Sequence, residues 1–236
     1  MVEVKNAEVF NLERAMRAIK NSYNVGDIDT TKGDYNEKVA KSLGSNMQPH
    51  QCHDAWLKGI LVTYDIKGNG VFLPEFQRYG HFQSIVMAQS TMHSMEKFMT
   101  SNYNPFTKYV DPRIIEITKE NYRNWTSAKA ELNQFQTTNK VNIDDLEYMS
   151  VYATKEKILK DKVYETFEKL VHNLPRGFEL WHTVTTNYLQ LKTQVIQRFH
   201  HKNKEDWGKF VKFCYSLPKF KELCGFDNEE WEIEKW

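Results

Sequence analysis

Apolar positions recur at helical spacing over most of this chain and alternate, strand-fashion, from Ile60 to Ile66. Between Phe10 and Tyr23, Leu12, Ala15, Met16 and Ile19 recur with Arg and Lys between them, which predicts an amphipathic helix. Gly26 to Gly33 is polar and predicts a loop, and Tyr35 to Leu43 predicts a short helix closed by Gly44. Pro49 to Lys58 reads as helical, with Gly59 as punctuation before the strand. A Gly68-Asn69-Gly70 turn and a short helix ending in Gln77-Arg78-Tyr79-Gly80 follow it. His81 to Ala88 is β-branched and aromatic enough for a second strand, and Ser94 to Thr100 returns to helical spacing. Asn104-Pro105 and Asp111-Pro112 mark turns. Beyond Ile114 the pattern predicts helices over 117–136, 142–150, 154–172, 184–201 and 204–216, with a break at Leu174-Pro175. The expected fold class is therefore α+β, with a short sheet and a dominant helical component.

With 236 residues and no Gly-, Ser- or Pro-rich linker, one domain spanning 1–236 is expected. The 32 basic and 31 acidic side chains nearly cancel, so charge gives no case for a nucleic-acid or acidic-membrane partner. Cys52, Cys214 and Cys224 form no CxxC pair, which fits a reducing compartment better than a disulfide framework. There is no charged-then-apolar leader and no apolar run near 18 residues, so a cytoplasmic protein without a membrane span is expected.

His50, Cys52, His53 and Asp54 invite a test for metal ligation. Helical spacing puts His50 and His53 on one face and Cys52 elsewhere, and no HExxH pattern joins His200-His201, so no metal is expected. GxSxG, P-loop and GxGxxG signatures are missing as well. More telling is a set of ordered spacings. Tyr64-Asp65-Ile66-Lys67 leads without a gap to Arg78. Pro175, Asn187 and Arg198 then follow at intervals of twelve and eleven residues. Eleven residues is close to three helical turns, which puts Asn187 and Arg198 on one face about 16 Å apart. The plain alternative is an ordinary helix cap at Asn187 and a solvated Arg198.

In order and spacing these segments resemble the flavin-dependent thymidylate synthases (ThyX), where a strand of the type FTFHIKAP leads to a helix ending on RHR. Arg78 falls on the first Arg of RHR, while Tyr79 and Gly80 depart from it. Leu174-Pro175, Asn187 and Arg198 match the family's LP, its Asn and a following Arg. Asn21-Ser22-Tyr23 lines up with an AARVSY-like segment. His53 matches the end of HxSPFEH only across an insertion, and a surface helix carrying two histidines is the alternative there. The resemblance runs from Ala18 to Trp207 and is thinnest over 94–150. It implies a ThyX-like fold, a homotetramer, and a cofactor site of Arg78, Tyr79, Asn187, Arg198, His53 and Ser22 for FAD. It further implies a pyrimidine nucleotide as partner, dUMP or an analogue, facing Glu75, Gln89, Ser90 and His93. Arg78 and Glu75 would be catalytic, with NADPH and methylenetetrahydrofolate as cosubstrates.

Four nucleotide-binding positions of the family have changed. The SxR arginine is Met92, with His93 beside it; the Arg before LP falls near Val171 and His172. The final Arg of AQxEIR is Gly208, near Glu205 and Trp207, and the Gln before RHR is Glu75. Each charge-assisted bond to a phosphate contributes about 1.5–3 kcal/mol, so losing three arginines weakens phosphate binding steeply. A changed substrate is one consequence. A non-catalytic nucleotide-binding or interaction protein that keeps the fold is the other.

Overall fold

The computed structural model describes residues 1–46, 53–80, 83–139 and 146–233. In chain order the strands are β1 (Glu3–Phe10), β2 (Leu61–Asn69), β3 (Ser84–Ala88) and β4 (Glu179–Asn187). The helices are α1 (Leu12–Ala18), α2 (Glu37–Gly44), α3 (Leu73–Gln77), α4 (Thr91–Thr100), α5 (Pro112–Thr138), α6 (Leu146–His172), α7 (Tyr188–Arg198), α8 (Lys204–Ser216) and α9 (Phe220–Cys224), with 3-10 turns at Ile19–Ser22, Ala55–Gly59 and Glu229–Trp231. The fold is α+β with a small antiparallel sheet and a dominant helical component. Two compact units divide it: Met1–Gln89 with Glu179–Trp236, and Ser90–Phe178.

The first unit holds the sheet, in the order β1-β2-β4-β3. Alternation sets its faces: Val62, Tyr64 and Ile66 of β2 and Val184 of β4 are fully buried, while Thr63, Asp65 and Thr183 between them stay half-exposed. The exposed-side positions satisfy one another, through Thr63–Thr185 at 2.9 Å and Thr183 donating to Asp65 at 2.8 Å. The buried face packs on an aromatic core of Phe72, Phe76, Trp207, Phe210, Phe220 and Phe226, with Tyr64 4.8 Å from Phe213. The helix α7 lies inside this core, with Tyr188, Leu191 and Val195 fully buried.

Several elements differ from the sequence expectation. The stretch 184–187, expected to be helical, is the end of β4, pairing Val184 with Tyr64 and Asn187 with Leu61. Its Thr-Val-Thr-Thr run favours a pleated strand, and pairing on both sides decides the matter. The sequence pattern does not predict the edge strand β1, because its positions are mostly exposed and carry little alternation. The Gly-Asn-Gly turn begins later than expected, since β2 runs through Gly68 and Asn69. Asn69 then starts the turn itself, accepting from Val71 N and Phe72 N. Residues 49–52 of the expected 49–58 helix and residues 81–82 of the expected second strand lie outside the described residues; 55–59 form a 3-10 turn.

The second unit is built on α5 and α6, each 27 residues and therefore about 40 Å long. α6 continues from 146 to 172, where two helices were expected. Trp125 against Phe167 at 5.1 Å and Phe135 stacked on Tyr152 at 4.9 Å join the pair. Phe98, Phe106 and Phe178 close one end edge-to-face. Among the described residues no helix is long and apolar enough to cross a membrane.

Candidate functional site

In the first unit, α3, the end of α7 and the start of α8 bring polar side chains together around one carboxylate. Glu75 lies on the short helix α3, whose start is fixed by Pro74 and by the Asn69 turn. Its Oε2 accepts the Trp207 indole N–H at 3.0 Å. The Arg198 guanidinium reaches the same oxygen at 3.5 Å, and His201 Nε2 stands 3.4 Å from it. The tautomer of His201 follows from its other nitrogen. Nδ1 accepts Asn203 N–H at 3.1 Å, so in the neutral ring Nε2 carries the hydrogen, within ion-pair distance of Glu75 but not hydrogen-bonded to it.

Arg198 is held from three more directions. Its Nε donates to the Tyr79 hydroxyl at 2.8 Å, and that hydroxyl in turn donates to Gln197 Oε1 at 2.9 Å. The guanidinium lies over the Trp207 ring at 4.7 Å and over Tyr79 at 5.5 Å, close enough for cation–π attraction. The cage is partly open to water, with Glu75's side chain 30% exposed against 15% for Arg198. Beneath it, Gln194 donates to Gln83 at 2.6 Å and Gln83 to the Phe76 carbonyl, leaving Gln194 Oε1 buried without a partner.

Three of the candidates from the sequence, Glu75, Tyr79 and Arg198, thus meet in one cluster although Glu75 and Arg198 are 123 residues apart. Gln197, His201 and Trp207 complete it. The sequence offered only a weak signal for them: His201 stands three positions past Arg198, and Trp207 sits near the degraded AQxEIR register.

The remaining candidates lie elsewhere. Arg78 caps the end of α3, is exposed, and makes no hydrogen bond or ion pair among the described residues. Asn187 ends β4 and caps α7, its Oδ1 accepting Gln190 N–H at 2.9 Å. The capping geometry of the plain alternative is therefore present there. Ser22 is exposed in the turn after α1 and bonds back to the Ile19 carbonyl at 2.7 Å. Lys20 and Tyr23, close to it in the chain, help line an open depression of about 650 Å³ together with Asp34, Tyr35 and Lys38. His53 is exposed in a turn; its former companions His50 and Cys52 lie outside the described residues. Gln89 continues the sheet edge, its N donating to the Trp181 carbonyl and its Oε1 accepting Trp181 N–H at 3.0 Å. In the second unit Ser90 caps α4 by accepting His93 N–H at 3.3 Å, and the His93 side chain is exposed.

Cys214 and Cys224 are buried, and burial pushes both thiols well above the ordinary cysteine range. Neither is a nucleophile in this setting.

No protein-family model matches this sequence, and no curated protein does. Solved structures do. The chain is similar in fold to the thymidylate synthase ThyX of Helicobacter pylori with FAD and dUMP, at TM-score 0.53 and 14% identity over 95% of this chain and 97% of that one. A second structure of the H. pylori enzyme, complexed with FAD and dUMP, gives TM-score 0.53 and 15% identity over 94% and 96%. The UMP/dUMP methylase PolB of Streptomyces cacaoi, bound with 5-Br dUMP, gives 0.52 and 11% over 95% and 92%. Nearly whole chains align in every case while identity stays low, so the ThyX-like resemblance read from the spacings holds at the level of the fold.

Proposed function

We propose that this chain is a flavin-dependent enzyme of the thymidylate-synthase type that acts on a pyrimidine deoxynucleotide, dUMP or a close analogue. Its reaction passes a one-carbon unit from methylenetetrahydrofolate to the pyrimidine, and NADPH reduces the flavin. The observation that carries this reading is the meeting of Glu75, Tyr79 and Arg198 in one cage, on a fold shared with proteins solved with FAD and dUMP. The donor set fits FAD in part. Among the described residues the Arg78 guanidinium makes no ion pair, and it is suited to a phosphate oxygen; Asn187 Nδ2 is a donor suited to a ring carbonyl or ribityl group. When bound, the flavin supplies the hydride, so no enzyme nucleophile is needed. The protein's own part is to orient the pyrimidine and to keep Arg198 and Glu75 as an ordered charge pair beside it. Gln89, Ser90 and His93 are assigned to the substrate, and Ser22 and His53 to the cofactor. The chain works as one cytoplasmic domain assembled into a homotetramer.

The test is the visible absorbance spectrum of purified protein before and after addition of FAD and desalting. About one retained flavin per subunit is the expected outcome; a folded protein that retains none removes the reading.

A second reading, a non-catalytic nucleotide-binding or interaction protein, is favoured by one observation. Arg198 is already committed to Glu75, and Asn187 Oδ1 to its helix cap. Its mark is stabilisation by nucleotide without turnover, about 2.7 kcal/mol at a ligand concentration one hundred times the dissociation constant.

A further inference from the structure

Arg198, His201 and the Trp207 indole present the chemistry of an anion-binding site: a guanidinium and an indole N–H donate to one point, and the His201 ring stands 3.4 Å from it. That point is occupied by Glu75 Oε2. The donors do not depend on Glu75 for their positions. Arg198 is held by the Tyr79 hydroxyl and by two aromatic rings, His201 by the Asn203 amide, and Trp207 by full burial against Phe72 and Phe210. The site is thus built independently of its occupant, and the partial exposure of Glu75 leaves it reachable from water.

We propose that Glu75 acts as an intramolecular oxyanion filling this site, and so as a specificity determinant: the wild-type cage refuses a ligand that would place a phosphate or carboxylate between Arg198, His201 and Trp207. A ligand lying here must present a neutral or donor-bearing edge. Coulomb repulsion is the reason, since a second anion at contact distance from a half-buried carboxylate gains little from a cation already neutralised. The binding claim rests on the cage geometry alone; only its consequence for the substrate rests on the nucleotide reading above.

The experiment is thermal unfolding of the full chain as wild type, Glu75→Ala and Glu75→Ser. Each is titrated with inorganic phosphate and with sodium formate against sodium chloride at equal ionic strength. In Glu75→Ala a saturable rise in Tm is expected, about 5–10 °C at an anion concentration one hundred times its dissociation constant, with no saturable rise in wild type. The rise should vanish when Arg198→Gln is added. Formate acting alone assigns the site to carboxylates, and phosphate acting as well assigns it to oxyanions generally. Glu75→Ser, which also empties the carboxylate position and is tolerated near a helix start, carries the same test if the alanine variant does not fold. The proposal is overturned if the folded variants respond as wild type does, or if the response survives loss of Arg198. Flavin retention is measured separately, so a colourless protein with a responsive Glu75→Ala removes the enzyme reading and leaves this one standing.

Discussion

Lys192 shows how much a single residue in this chain can carry. Its side chain is 3% exposed, and its ammonium donates to the Gly44 carbonyl at 2.8 Å, the Asn46 carbonyl at 2.7 Å and Asp54 at 2.7 Å. One cation on α7 therefore closes the carbonyl end of α2 and anchors the segment before β2. Replacing it by Met keeps the apolar stem but strands a partly buried carboxylate and two carbonyls. We expect Lys192→Met to cost about 3–5 kcal/mol in urea unfolding; a loss below about 1 kcal/mol would contradict this account. His182 provides a pH signature. Burial lowers its pKa from the ordinary 6.5, against a weaker opposing contact with the Leu180 carbonyl. The unfolded chain takes up that proton near pH 6.5 while the folded chain does so only at lower pH. The contribution of His182 is therefore complete above pH 6.5 and is lost as the pH falls below it. His182→Gln should flatten the stability–pH curve as the pH falls below 6.5, and an unchanged slope would show that His182 is not the responsible group.

At the scale of elements, α2 and α9 meet at Gly44, the buried last residue of α2. A Cβ there would land on the Leu223 carbonyl oxygen and press on the Trp56 ring. Alanine gains about 1 kcal/mol in helix propensity, yet overpacking against the Leu223 backbone costs about 1–3 kcal/mol. Gly44→Ala should therefore lower stability, and a stabilised variant would show that the contact relaxes freely. The strands differ in how readily they can be read. β2 carries its own signal, because Val62, Tyr64 and Ile66 alternate into the core. β4 does not: His182, Thr186 and Asn187 are buried polar residues, so hydrophobic period alone leaves Glu179–Asn187 ambiguous with a helix. Its two neighbours supply the missing information by pairing along both of its edges.

Over the whole molecule, a TM-score of 0.53 at 14% identity means that the backbone path is kept while nearly all side chains have changed. Core positions tolerate such drift when volume and patterning survive, whereas a binding site does not. The homotetramer proposed above predicts a sedimentation-equilibrium mass near four times that of the chain. A monomer at tens of micromolar, in otherwise folded protein, would exclude a site completed by neighbouring copies.

By itself the sequence determined the α+β class, the strand β2, most of the helices, and the spacing that links Arg78, Asn187 and Arg198. These are properties of local period and chain distance, and local period needs no partner to be visible. It also named Glu75, Tyr79 and Arg198, though as separate candidates with separate duties. Only the tertiary structure decided that they share one cage, that Asn187 Oδ1 closes a helix, and that Arg78 makes none of the cluster's hydrogen bonds among the described residues. The physical reason is that charge pairing, capping and burial depend on which distant segments meet. Here that meeting is set by α7 and α8 packing against a sheet whose strands are separated by more than a hundred residues.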